Sequence, residues 1–251
     1  MKARPVVSAL ALILLAGCAG TPAEEPADGA IADPWEPLNR PIYHFNTTFD
    51  SLTYKPIAKV YEFVIPSFVR QGVTNFSRNL RTPLVMINNG LQGKGGAAAN
   101  DLGRFLLNST VGLGGILDPA TFEGLDRNDE DFGQTLASWG VPAGPYVQIP
   151  FLGPATLRGA LMIPANLYVD PLIHLDNSSV RDKLYGLRLI DVRQRLFAAE
   201  ELIKDSPDRY LTVRESFLQR RQYLIYDGNP PVEEDPYADF DDDFLDEEAE
   251  Y

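Results

Sequence analysis

Cysteine is almost missing from this chain: Cys18 is the only one in 251 residues. A single thiol cannot close an intrachain disulfide, so any core must hold together by burial. Histidine is nearly as scarce, with His44 and His174 far apart in sequence. No Gly-x-Ser-x-Gly elbow, His-Glu-x-x-His helix or Gly-x-x-x-x-Gly-Lys-Ser/Thr loop occurs. His44, between Tyr43 and Phe45, reads as a packed or interfacial aromatic neighbour. The acidic run Asp126-Arg127-Asn128-Asp129-Glu130-Asp131 lacks the glycine and the terminal glutamate of a calcium loop, and reads as a solvated loop. The expectation is a protein that is not an enzyme and carries neither metal nor cofactor. Long hydrophobic runs are also missing. Beyond residue 18 no segment reaches the ~18 unbroken apolar residues of a transmembrane helix.

A surplus of one charge sign is present, but not where a fold would be. The formal net charge is −13. Residues 233–251 carry eleven acids and no base, and 18–38 carry five acids and no base. Residues 39–232 hold 20 bases against 19 acids, a net of +1, and the first residues add Lys2 and Arg4. The middle of the chain is therefore nearly neutral. With no basic face apparent, nothing favours nucleic acid.

What is present begins at the N-terminus. Lys2 and Arg4 precede the apolar run Val6–Ala16, in which Ser8 is the only polar residue, and Leu15-Ala16-Gly17-Cys18 closes it. This is a secretory layout, too short to span a bilayer. Leu-Ala-Gly-Cys resembles the bacterial lipobox, in which the cysteine is acylated and becomes the new N-terminus. Ala19 after Cys18, in place of Asp, is the pattern of lipoproteins sorted to the outer membrane. We divide the chain into a signal peptide (1–17), a lipidated Pro-rich flexible tether (18–34), a folded domain (35–228) and an acidic tail (229–251). The tail reads either as solvated disorder or as a docking segment for a partner.

Within the folded domain the periodicity is helical, interrupted by Pro and Gly. Pro66 opens a segment with Val69, Val73, Phe76 and Leu80 on one face. Thr82-Pro83 looks like the start of another helix, ending near Gly90 or Gly93. Asp131 caps a short helix closed by Gly140. Val180 to about Lys204 forms a long segment with Asp191 placed to pair with Arg195. Ser206-Pro207-Asp208 starts a last helix that stops at Asp227-Gly228. Tyr146–Ile149 is the only plausible strand, so the fold class is all-α. The apolar but Gly- and Pro-broken segments around Val111–Leu117, Phe151–Ala155 and Leu161–Pro164 suit helices lying in a membrane interface; a tightly turned globular core explains them equally.

Asp33-Pro34-Trp35-Glu36-Pro37-Leu38-Asn39-Arg40 with Ile42–Asn46 resembles the opening motif of the VacJ/MlaA lipoproteins. Asn75–Leu80, Pro83, Asn88–Gly93, Arg104–Thr110, Asp131–Leu136, Trp139-Gly140, Gly144–Tyr146 and Leu152–Pro154 continue the resemblance in order, to Tyr210, Arg214-Glu215 and Gln219–Arg221. It spans roughly residues 33–228. It implies a ring-like set of short amphipathic and interfacial helices around an amphipathic channel, in the inner leaflet of the outer membrane. Family members remove misplaced phospholipid from the outer leaflet, commonly beside a trimeric porin, and pass it to the periplasmic carrier MlaC. A porin-stabilising lipoprotein without transport, or a lipid hydrolase, are the alternatives.

Exposing both tails of a phospholipid, about thirty methylenes, would cost on the order of 25 kcal/mol. A passive route must therefore leave the tails in an apolar setting and give the head a polar path. The polar residues interleaved with Phe, Leu and Val in the motif segments are candidates for that path: Asn46, Asn75, Asn79, Arg81, Asn88, Asn89, Arg104 and Asn108. Arg104 or Arg81 would attract phosphate. For any of the asparagines, a capping or turn role is the competing reading. Phe122 and Leu125, in the Pro119–Asp131 loop, are candidates for a gate.

Overall fold

The computed structural model describes residues 33–231. Cys18, the signal peptide, all but the end of the tether and the acid-rich part of the tail lie outside the described residues. The described chain is mostly helical, as expected.

Helix α1 (Glu36–Leu52) has a proline in its first turn, where an absent N–H leaves no bond unmade. Helix α2 (Tyr54–Val64) stops ahead of Pro66, and α3 (Ser67–Leu91) begins directly after it. Pro83 does not start a new helix, contrary to the expectation; it lies inside the 25 residues of α3. Helix α4 (Gly95–Thr110) makes its most extensive contacts with α3. That packing on both sides of Pro83 outweighs the one hydrogen bond the imide cannot donate. The tight turn after α4 uses Gly114 and Gly115 at positive φ.

A one-turn helix α5 (Pro119–Phe122) precedes α6 (Phe132–Ser138). Asp131 caps α6 as expected, its carboxylate accepting from the Gln134 N–H at 3.0 Å. Gly140, at φ 84°, comes just after its end. Strand β1 (Tyr146–Ile149) is where the alternation placed it, but it has a partner that Gly153-Pro154 concealed. Strand β2 (Gly153–Thr156) pairs antiparallel with it, Tyr146 opposite Thr156 and Ile149 opposite Gly153.

Helix α7 (Leu157–Val169) is capped by Thr156, and a 3₁₀ turn (Pro171–His174) comes next. The long segment expected from Val180 onward divides at Leu196 into α8 (Ser178–Arg195) and α9 (Phe197–Leu202). Helix α10 (Arg209–Ile225) starts at the end of the expected Ser206-Pro207-Asp208, where the Asp208 side chain accepts from the Leu211 N–H. No described helix is long and apolar enough to cross a membrane.

The apolar core is small: Tyr43, Tyr146 and Tyr210 meet edge to face, backed by Leu211, Val213, Phe217 and Leu218. Among the described residues, polar and charged side chains outnumber apolar ones in the interior. Large apolar side chains crowd the surface instead, with Phe63 91% and Phe68 77% exposed on either side of the α2–α3 turn. A protein stabilised in water alone does not leave so much apolar surface uncovered.

A polar cavity at the α3–α4 pairing

Polar side chains spaced three and four apart on α3 (Asn75, Arg78, Asn79, Thr82) face a second such row on α4 (Asp101, Arg104, Asn108). Asp118 and the 127–129 segment, with Arg188 and Arg195 of α8 and Arg220 of α10, complete a cavity of about 270 Å³. Every basic residue facing it is an arginine.

Arg104 is only 4% exposed and both of its terminal nitrogens are committed. Its Nη2 reaches both oxygens of Asp118, at 2.9 and 3.0 Å, while Nη1 bonds the Leu125 carbonyl and Thr121. Asn108 donates to Asp118 at 2.9 Å, and its Oδ1 accepts from the Ala120 N–H at 3.1 Å. Burial works against a charge on Asp118. Hydrogen bonds from Thr121, Asn108 and the guanidinium of Arg104 outweigh it and hold the carboxyl below its ordinary pKa.

Asp101 accepts from Asn89 at 2.7 Å and Asn128 at 3.0 Å, yet burial still pushes its pKa up. Arg81 pairs with Asp129 at 3.0 Å, and Arg195 with the fully buried Asp191 at 3.2 Å. Asp191 also accepts from Thr74 at 2.9 Å and from Tyr61 at 3.4 Å. Burial first, and the Asp191 charge second, push the Tyr61 hydroxyl up to about 12.

Two arginines stand apart. Neither Arg78 nor Arg127 forms an ion pair among the described residues, although both face the cavity. Burial lowers the pKa of Arg78, and the nearby charges of Arg127 and Arg195 lower it further.

Five residues expected from sequence are thus brought together here: Asn75, Asn79, Arg81, Arg104 and Asn108. Asn79 donates to Ser109 at 2.9 Å and its buried Oδ1 has no partner among the described residues. Asn88 and Asn89 do not line the cavity. Asn88 is fully buried, donating to the Leu84 carbonyl and accepting from Thr135 at 2.6 Å, which ties α3 to α6. Asn89 holds Asp101. Asn46 lies on α1 and clasps the hairpin turn: it donates to the Ile149 carbonyl at 2.9 Å and accepts from the Phe151 N–H at 2.8 Å.

Phe122, at 91% exposed, projects from α5, whereas Leu125 is half-buried with its carbonyl held by Arg104. The acidic run is less solvated than expected: Glu130 is buried against Gln92 and Lys94, and Asp131 takes two hydrogen bonds of 2.7 Å from Arg221. Sequence reasoning passed over Arg78 and Arg127. The signal for Arg78 was available, since it shares the polar row of α3 with Asn75, Asn79 and Thr82.

Helix α8 separates this cavity from an apolar groove. Arg188, Val192 and Arg195 face the cavity, while Gly186, Leu187 and Ile190, on the opposite side of the helix, meet Ile57, Val60 and Val64 of α2 across about 340 Å³.

The family model described as MlaA lipoprotein matches residues 31–224. The "Intermembrane phospholipid transport system lipoprotein MlaA" of Escherichia coli K12 is 35% identical over 242 residues, covering 95% of each chain. The protein of that name from Haemophilus influenzae is 31% identical over 235 residues, 91% of this chain and 93% of its own. A solved chain, described under "Structural basis for maintenance of bacterial outer membrane lipid asymmetry", superposes with a TM-score of 0.67 at 30% identity, over 77% of this chain and 99% of its own. Sequence order and helical architecture agree over nearly all the described residues: the chain belongs to the MlaA lipoprotein family.

Proposed function

We propose that this lipoprotein, anchored through Cys18 on the periplasmic side of the outer membrane, withdraws misplaced phospholipids from the outer leaflet. It passes them to a periplasmic carrier of the MlaC type and works beside a trimeric porin. The observation that carries this reading is the inverted interior, a cavity lined by arginine and asparagine within a surface of exposed Phe, Leu, Ile and Val. Such a surface can sit among acyl chains, and such a cavity can shield a charged headgroup from them. The tails then stay in apolar surroundings, which avoids the large cost of wetting them.

The reading assigns the headgroup contact to Arg78 and Arg127, because Arg81 and Arg104 are already paired. Phe122 and Leu125 remain candidates for the gate, on a segment fastened through Arg104. The reaction requires no bond to break, so no catalytic group is assigned.

The test replaces the native gene with an Arg78→Glu variant of matched abundance. Outer-leaflet phospholipid should rise toward the level of a deletion strain. An outer leaflet as asymmetric as the wild type's would reject the cavity as the path. A variant that fails in this way but still co-purifies with porin would separate transport from porin support.

A further inference from the structure

The cavity has an unequal supply of unspent charge. Its three carboxylates all have hydrogen-bond partners: Asp118 pairs with Arg104 and Asn108 and Asp129 with Arg81, while Asp101 is bonded by the neutral amides of Asn89 and Asn128. Its cations are not all paired, because Arg78 and Arg127 have no ion pair among the described residues. At half-buried Arg78, burial and the charges of Arg127 and Arg195 outweigh the opposing charges of Asp191 and Asp118 and lower its pKa. A cluster of like charges inside a walled cavity is relieved by an anion.

We infer that the cavity selects phospholipids by headgroup charge, taking a head of net negative charge such as phosphoglycerol in preference to zwitterionic phosphoethanolamine. The inference rests on the transport reading above and specifies its substrate. Both heads offer the same phosphate to Arg78 and Arg127. They differ in the group attached beyond that phosphate. The ammonium of phosphoethanolamine would enter a space whose carboxylate oxygens already have hydrogen-bond partners and where the two unpaired guanidiniums outnumber Asp101, the one lining carboxylate without an ion pair. The hydroxyls of phosphoglycerol carry no charge, so the free guanidiniums do not repel them. Phosphate recognition by guanidinium is common to both lipids, so discrimination comes from excluding the second charge.

The test incubates the full-length lipidated protein with vesicles containing photoreactive phosphatidylglycerol or photoreactive phosphatidylethanolamine, each labelled in the headgroup. Adducts on α3 and α4 are then counted. Wild-type protein should label about five- to tenfold more with phosphatidylglycerol, the scale of one solvent-screened charge-assisted contact. Arg127→Gln, at an exposed residue that forms no ion pair among the described residues, should lower that ratio several-fold, and Arg78→Gln with it should bring the ratio close to one. Equal labelling of wild type by both lipids would overturn the charge selection while leaving transport intact, and so would a ratio that survives both substitutions. Absence of cavity adducts with either lipid would overturn the transport reading and the selection together.

Discussion

Asp131 serves two neighbours with one carboxylate. It caps α6 through the Gln134 N–H and binds Arg221 of α10 with both oxygens. Burial opposes its charge, but Arg221 and the cap hydrogen bond overcome that and hold its pKa below the ordinary 3.8. A depressed carboxyl contributes stability that is fully present above its unfolded pKa and is lost as pH falls through the folded value. Asp131→Asn should therefore cost about 2–3 kcal/mol at pH 7. In urea unfolding series the gap from wild type should close below about pH 4. A gap that stays constant down to about pH 2.5 would mean that the loss is steric and not ionic. Glu130 next to it behaves oppositely. Burial outweighs Gln92 and Lys94 and raises its pKa, so its ionisation at neutral pH works against folding.

At the scale of elements, α1 and the hairpin depend on two asparagines seven residues apart, two turns of one helix. Asn39 donates to the Tyr146 carbonyl at 3.1 Å and accepts from the Gln148 N–H at 2.8 Å, satisfying the open edge of β1 much as another strand would. Asn46 repeats this at the turn. Asn39→Ala, at a buried site, should cost about 2–3 kcal/mol, and Asn46→Ala about 1 kcal/mol. Hydrogen exchange should locate the loosening in residues 146–156. The turn after α4 is held more tightly still. A Cβ on Gly115 would come within 2.5 Å of the Asn79 Cβ, and its φ of +95° disfavours any L side chain. Gly115→Ala should destabilise by about 2–4 kcal/mol and open the α3–α4 wall of the cavity, visible as a lowered melting temperature.

Such elements show which features a sequence displays. The cap at Asp131 was legible because one side chain and a backbone N–H three residues on determine it. The amphipathic row of α3 was legible as well. The orientation of its polar row was not: Thr74, Ser77 and Asn79 are buried, while Val69 of the apolar stripe is exposed. Pattern gives the two faces of a helix, and the surrounding solvent decides which one points inward. Asn46 and Asn88 misled for a different reason. An asparagine that clasps a strand over a hundred residues away has the same local sequence as one that greets a ligand.

For the whole molecule, the exposed apolar side chains around the α2–α3 turn should act as a membrane contact in their own right. Phe63 and Phe68 each contribute about 2 kcal/mol if their rings leave water. In a Cys18→Ala background, Phe63→Ser with Phe68→Ser should shift the protein from the membrane to the soluble fraction on ultracentrifugation. A Cys18→Ala protein that sediments equally with and without these rings would place the contact elsewhere on the surface.

The use of arginine alone around the cavity bears on the conditions under which the protein can work. A lysine half-buried as Arg78 is would shed its proton as the medium turned alkaline, because a desolvated ammonium shifts readily. The guanidinium starts from so high a pKa that even half-buried Arg78 keeps its charge. On the proposed reading, the cavity's attraction for a headgroup therefore keeps its sign as the medium turns alkaline.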